Sequence, residues 1–385
     1  MNTGFEEPED PTSSSLQQMK RYYFPDLWFS DGDVVLSSRI AEHEVLFCVH
    51  RELLCTHSAV WRLHLDNLRH SESCTEPCRE EEGPKSICVV ALSEEGDQWL
   101  YFLRALYYRG SGSLPQRRFF HDMKAMPNHR IEVASSVAVL AHKYEVQWLY
   151  NQAIRILGGY YTHSLEELDA NVRWHACRSP SESLVESIRL VQHALSEAAV
   201  FLINAAREAK TPELLRLVPH ALYAASLLDT KSLGMGTMRG RPLRRAMFLG
   251  REYLHPEDRR LCALARLWRL CRKEGTPPES LNAGAGAEVT IACCEAQGRL
   301  QQLMASQDCV LTRMDPLARS VEHWIDELRR SDSDVEKGII CEACMARIKS
   351  HHNEARKKVW DDWQRLFKDW PAQVTSPRYT LSGAF

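Results

Sequence analysis

The runs that suit β-strands stop near residue 160 of this chain, and the helix-start signals gather beyond it. Three short runs rich in β-branched or aromatic residues stand before Gly158: DVVLSS (Asp33–Ser38), EVLFCV (Glu44–Val49) and SICVVAL (Ser86–Leu92). Such residues fit a pleated, half-buried surface. The turn residues Arg39 to Glu42 lie between the first two runs, which predicts an antiparallel hairpin. From Thr162 onward the pattern changes. SLEE (Ser164–Glu167) and SPSE (Ser179–Glu182) both fit a capping box, and the second places Pro180 at the first helical position. Leu184, Ile188, Val191, Leu195 and Leu202 then recur at helical spacing. A chain divided in this way predicts an α+β domain followed by a mainly α-helical region.

Within the first part, DQWLYFLRALYYRG predicts a helix whose buried face is Trp99, Phe102, Leu103 and Leu106, ended by Gly110. Residues 110–130 read as a loop. SSVAVLAHKYEVQWLYNQAIRIL carries Val137, Leu140, Ala141 and Tyr144 on one face and Leu149, Ala153 and Ile156 on another. The phase slips near Glu145, so two short helices meeting at an angle are expected. In the second part, TPELLRLVPHALYAASLLD predicts a helical region broken near Pro219. Two further helices are expected over about Ala318–Arg330 and Glu336–Trp370. The expected organisation is a disordered tail over 1–25, a domain over 26–160, a helical region over 161–370 with flexible loops near 230–242 and 273–288, and a tail over 371–385. No internal repeat is visible.

The 385 residues suffice for two ordinary domains. A net charge of -3 provides no global basic field for nucleic acid or anionic membrane. No apolar run approaches the roughly 20 residues of a membrane helix. The first 15 residues are acidic and lack the apolar core of a secretory signal. The 13 cysteines are odd in number and scattered, which fits reduced thiols in cytosol or nucleus rather than a disulfide framework.

Three clusters invite a chemical reading. In FCVHRELLCTHSAVW (Phe47–Trp61), a zinc site from Cys48, Cys55 and His57 would need six residues between the cysteines, a spacing foreign to compact zinc motifs. Both cysteines read as small core hydrophobes, and His50 as a residue bonding backbone groups where a strand becomes a helix. In CEACMARIKSHH, Cys341 and Cys344 have ligand spacing. Yet Cys341, Cys344, Ile348, His352, Ala355, Val359 and Leu366 form one helical stripe. At 1.5 Å per residue His352 lies about 12 Å along the axis from Cys344, too far to share an ion with it. Partners from elsewhere, such as Cys293 and Cys294, keep the zinc alternative open, and core cysteines are the favoured reading. The third cluster is basic: Arg239, Arg241, Arg244, Arg245 and Arg251, with RGRP (Arg239–Pro242) matching the core of a minor-groove hook but without flanking basic residues. A solvated linker is the favoured reading. No Gly-rich phosphate loop, GxSxG elbow or HExxH pair is present, so neither catalytic residues nor a cofactor is expected. Trp360, Trp363 and Trp370 follow the last stripe as candidate packing anchors.

The ordered segments FSDGDVVLSS, FCVHRELLCTHSAVWRLHL, LSEEGDQWLYFLRALYYRG and VASSVAVLAHKYEVQWLYNQAI together resemble the BTB/POZ domain over about Asp26–Gly158. The positions that carry the resemblance are Asp33, His50, Leu54, Ser58, Trp61, Tyr107, Gly110 and Tyr144. The acidic loop before the third strand and the long loop after Gly110 depart from the family pattern. The C-terminal CEACMARIKSHHNEARKKVWDDWQRLF resembles the tail of large fungal families of BTB proteins. The resemblance implies an intracellular, cytoplasmic or nuclear protein-interaction adaptor that is not an enzyme. It also implies self-association through the BTB domain and, in some members, recruitment of a cullin-type ubiquitin-ligase scaffold. Membrane and nucleic acid are not expected partners. The rival reading is a zinc- or DNA-binding regulatory protein dimerised by its BTB domain.

Overall fold

The structure is a computed structural model that describes residues 21–40, 43–68, 76–77, 86–107, 119–123, 127–176, 184–239, 251–271, 342–367 and 370. The chain divides into two compact units, Met1–Arg104 and Ala105–Phe385. Among the described residues, strands of more than two residues all lie in the first unit, and helix predominates.

The first unit is built on a mixed sheet. The expected hairpin is β2 (Val34–Ile40) and β3 (His43–Val49), antiparallel in unbroken register from Val34 opposite Val49 to Ile40 opposite His43. β5 (Ser86–Glu95) lies parallel to β2, with Val35 beside Val89. A parallel neighbour needs a crossover, and α1 (Arg51–His57) and α2 (Ala59–Leu68) lie in that connection. The two-residue β4 (Glu76–Pro77) pairs with the start of β5 inside the stretch expected to be loop. At the opposite edge, β1 (Arg21–Trp28) runs parallel to β3. This corrects the expected tail over 1–25, whose last five residues are strand. Tyr22, Phe24, Leu27 and Trp28 supply apolar surface to hold it. Pro25 is tolerated because β1 is an edge strand whose register shifts between Tyr23 and Trp28.

The central strands β2 and β3 are buried along most of their length, which is why they read as nearly continuous apolar runs. Val35, Leu46 and Cys48 pack together with Trp28 and Val89. Phe24 and Phe47 are buried and stack with ring centroids 5.4 Å apart. α3 (Gly96–Tyr107) begins where a Cβ on Gly96 would sit 2.4 Å from the Val45 side chain, so only glycine lets the helix start this close to the hairpin. Its expected face, Trp99, Phe102, Leu103 and Leu106, is buried throughout. The division between the units falls in its last turn, whereas the sequence reading places a domain boundary near 160.

In the second unit, α4 (Phe119–Asp122) and the start of α5 (Pro127–Lys143) fall within the stretch read as loop. α5 and α6 (Gln147–Gly158) meet at a turn where Glu145 adopts φ 57°, the expected angle between two short helices. α5 packs along α6 and along α8 (Leu184–Ala209), while α7 (Leu165–Ala176) also rests on α8. Ser164 caps α7 as expected, its Oγ accepting the Glu167 amide at 3.2 Å. The expected break near Pro219 separates α9 (Pro212–Leu215) from α10 (Val218–Ser226), with Pro219 in the first turn of α10. α10 lies between α8 and α12 (Pro256–Cys271).

Two further differences concern 230–271. The loop expected near 230–242 contains α11 (Thr230–Met235), capped by Asp229, whose Oδ1 accepts the Ser232 amide at 2.6 Å. It is followed by β6 (Thr237–Met238), which pairs with β7 (Arg251–Glu252) in a two-residue ribbon. The sequence reading assigns no element to α12, although Pro256, Glu257 and Asp258 form a standard helix start. The final helix, α13, spans Glu342–Leu366. The capping box at Ser179–Glu182, the helix over 318–330, the loop over 273–288 and the tail over 371–385 lie outside the described residues.

Candidate functional site

Five of the residues carrying the family resemblance meet where the hairpin gives way to helices. α1 is short, and its N-cap residue His50 makes no side-chain capping bond. Its first amide must find another acceptor. Asp33 supplies it: the Oδ1 accepts the Arg51 N–H at 2.6 Å, while the Asp33 N–H donates to the Val49 carbonyl at 3.1 Å. A carboxylate at a helix N-terminus is also favoured by the helix dipole. The turn before Asp33 needs Gly32, where a Cβ would lie 2.7 Å from the Cys48 Sγ.

His50 approaches the Asp31 carboxylate with Nε2 at 3.1 Å and stands against the Phe29 ring. The Asp31 carboxylate is one partner of the His50 ring, for which the sequence reading named backbone groups. The hydrogen bond from His50 is the main reason that the Asp31 carboxyl is held below its ordinary range. Leu54 is buried beneath α1. Ser58 joins the two helices: its N–H closes α1 on the Leu54 carbonyl at 3.0 Å, and its Oγ accepts the Trp61 amide at 3.0 Å to open α2. Trp61 is 1% exposed and meets Trp99 of α3 edge-on, ring centroids 5.7 Å apart.

The other positions lie elsewhere. Tyr107 is half-buried at the end of α3, and Tyr144 follows α5, its amide on the Leu140 carbonyl at 2.8 Å. Gly110 lies outside the described residues. Cys48 is buried in the sheet, and Cys55 is half-buried on α1. Burial depresses the pKa of His57. Among the described residues, no three His, Cys, Asp or Glu side chains are placed to hold a metal ion. Cys341, Cys293 and Cys294 lie outside them, and of Cys344 only the backbone, in α13, is described.

The basic cluster divides. Arg239 places Nε at 3.1 Å and Nη2 at 2.6 Å from one oxygen of Glu252, whose carboxylate also takes the Asn204 amide of α8. Arg251 donates to the Met235 carbonyl at 2.8 Å. These two arginines fasten the β6–β7 ribbon, so the Arg239 charge is matched by Glu252 rather than presented as a minor-groove hook. Arg241, Arg244 and Arg245 lie outside the described residues. Beside the ribbon, Met235, Met238 and Tyr253 are each about half exposed.

The candidate anchors Trp360, Trp363 and Trp370 are all buried, and they lead to polar groups the sequence reading does not name. Trp363 donates from Nε1 to the Pro219 carbonyl at 2.6 Å. Trp370 donates to Oδ1 of Asp258 at 2.9 Å. Asp258 is fully buried and pairs with Arg207 of α8 at 2.7 Å. Arg356, 1% exposed, grips Asp169 of α7 with two bonds of 2.8 and 2.6 Å. Trp360 stands edge-on to His220 of α10, as does Tyr161. The His220 Nδ1 accepts the Thr162 amide at 2.9 Å, and burial lowers its pKa to about 4. Tyr150 donates its hydroxyl to Thr211 at 2.6 Å, and burial is the chief reason that its pKa rises to about 12. The hydrogen-bonded partners in these pairs lie between 51 and 187 residues apart. No local pattern in the sequence could have pointed to them.

His220 and Tyr150 each bond a residue remote in the chain, and no helix among the described residues is long and apolar enough to cross a membrane. Compared with protein-family models, curated proteins and solved structures, the chain matches none of them.

Proposed function

We propose that the chain is a protein-interaction adaptor that self-associates through a BTB/POZ-like domain over about residues 26–160, joined to a helical C-terminal region. The observation that supports this reading is the junction at the end of the hairpin. Asp33, His50, Leu54, Ser58 and Trp61, which carry the family resemblance, come together there as caps and core of one strand-to-helix transition. Their side chains serve the fold, which leaves the outer helix surfaces for recognition. Among the described residues of the first unit, Leu63 on α2 is the most exposed large apolar residue at 68%. A cullin-type scaffold is the partner class that the resemblance adds, acting with the protein inside the cell.

Light scattering of the full chain over a range of concentrations tests the reading. A dimer or higher assembly is expected, with Leu63→Asp shifting it toward monomer. A monomer mass at high protein concentration rejects self-association. Binding of a purified cullin N-terminal region to the full chain tests the scaffold separately; failure there removes the ligase role and leaves self-association standing.

A further inference from the structure

One face of the β6–β7 ribbon is fastened to α8, and the other is exposed. Thr237 and Glu252 stand opposite each other in register and turn toward α8. The Thr237 hydroxyl donates to the Glu197 carbonyl at 2.9 Å, and Glu252 takes the Asn204 side-chain amide. Met238 and Arg251 are the next opposed pair. Side chains alternate along a strand, so these two share the outward face. Both are exposed, as are Met235 and Tyr253 beside them.

These outward groups are held in place. Tyr253 lies against Gly236, where the backbone takes φ 71° and a Cβ would come within 2.8 Å of the ring. Asn204 holds the Tyr253 carbonyl at 2.9 Å. Arg251 donates from Nη1 to the Met235 and Gly236 carbonyls at 2.8 and 3.4 Å. Anchors already fixed lose little freedom when a partner docks. Tyrosine, methionine and arginine are also the residues enriched where proteins meet.

The charge around the anchors is positive. Among the described residues Arg251 meets no carboxylate, and its Nε and Nη2 have no hydrogen-bond partner. That edge of a guanidinium takes a carboxylate with two parallel bonds. Lys231, one turn before Met235 on α11, is exposed and likewise meets no carboxylate among the described residues. Glu252, the acid of the ribbon, faces α8 and is matched by Arg239. Residues 240–250, which join the two strands, add Arg241, Arg244 and Arg245 to the sequence and no acid. Such a surface attracts carboxylates. A nucleic-acid backbone would use the charge but leave the two methionines uncovered.

We propose that the outward face of the ribbon docks an acidic, apolar segment of a partner protein. An Asp or Glu carboxylate of that segment sits on Arg251, and its apolar side chains cover Met235, Met238 and Tyr253. The site lies wholly in the second unit, so it stands or falls apart from self-association.

Panning a random peptide library on the full-length protein tests the proposal. The peptides retained should carry Asp or Glu beside Leu, Ile, Met or an aromatic residue. Binding of a selected peptide, read by fluorescence anisotropy, should weaken about tenfold in Met238→Ser and in Tyr253→Ser. Neither side chain makes a hydrogen bond in the ribbon, so the thermal midpoint should hold. Arg251→Glu should lose the acidic peptide and gain the same peptide with Lys in place of its acids. That gain separates a charge contact from a ribbon that has come apart. Where Arg251→Glu itself lowers the midpoint, the Met238 and Tyr253 variants decide. A library that yields no peptide above background, or only peptides without acids, overturns the proposal. So does a selected peptide that binds both serine variants as it binds the wild type. A duplex oligonucleotide that binds through Arg251 where no peptide does would make this a nucleic-acid surface instead, and would overturn it too.

Discussion

His220 shows what burial does to a single titratable group here. It is 4% exposed, lies between Tyr161 and Trp360, and accepts a backbone N–H through Nδ1. Only an unprotonated Nδ1 can accept, so the folded protein holds the ring neutral. Its pKa is about 4 when folded against an ordinary 6.5. Between those values the unfolded chain binds the proton that the folded one refuses. The contribution is complete above pH 6.5 and falls away toward pH 4, by about 3 kcal/mol in all. Urea midpoints measured across that range should decline more steeply for the wild type than for His220→Gln, and parallel curves would reject the assignment. At the start of α1, Asp33→Ala removes the acceptor of the Arg51 amide and should cost about 1 kcal/mol in urea unfolding. Asp33→Asn, which keeps an acceptor oxygen, should recover most of that loss.

At the scale of elements, caps account for most boundaries that could be read. Ser164 marks a helix start because its hydroxyl accepts the amide three residues on, and Pro219 because its missing N–H needs no partner in a first turn. Ser58 does the same between α1 and α2, and Ser58→Ala should lower stability by about 1 kcal/mol without changing helix content. A large loss of helix by circular dichroism would show that Ser58 also holds the α1–α2 angle. The misread elements have a common cause. β1 is an eight-residue strand that contains a proline, tolerated only because the sheet ends there. α12 has a mean hydropathy too low to stand out, and its buried residues Asp258, Cys262 and Ala265 include a charge. Asp258 belongs inside only because Arg207 and Trp370 meet it.

For the whole molecule, the second unit is closed by α13. Deleting residues 342–385 would uncover Asp169, the Pro219 carbonyl, His220 and Asp258 together, and remove three buried tryptophans. The thermal midpoint should fall by on the order of 10 °C. Fluorescence-monitored melting of the deleted chain checks this, and an unchanged midpoint would mean that α13 adds nothing to the unit. Restoring the helix as Arg356→Ala alone should recover only part of the midpoint, because Asp169 then faces no partner while the tryptophans still pack.

The sequence by itself determined what depends on near neighbours. The hairpin, the burial of one face of α3, the angle at Glu145 and the break before Pro219 all follow from periodicity or from a residue's effect on its own backbone. The same locality placed His50 at a strand-to-helix junction, whereas Asp33, Ser58 and Trp61 were named through the resemblance to the BTB/POZ domain. Tertiary structure alone decided which charges go inside and what they meet. Arg356 finds Asp169 across 187 residues, and Trp370 finds Asp258 across 112. A buried charge is tolerated only where its partner is already in place. No window of sequence contains both members of such a pair, so their meeting is a property of the folded chain.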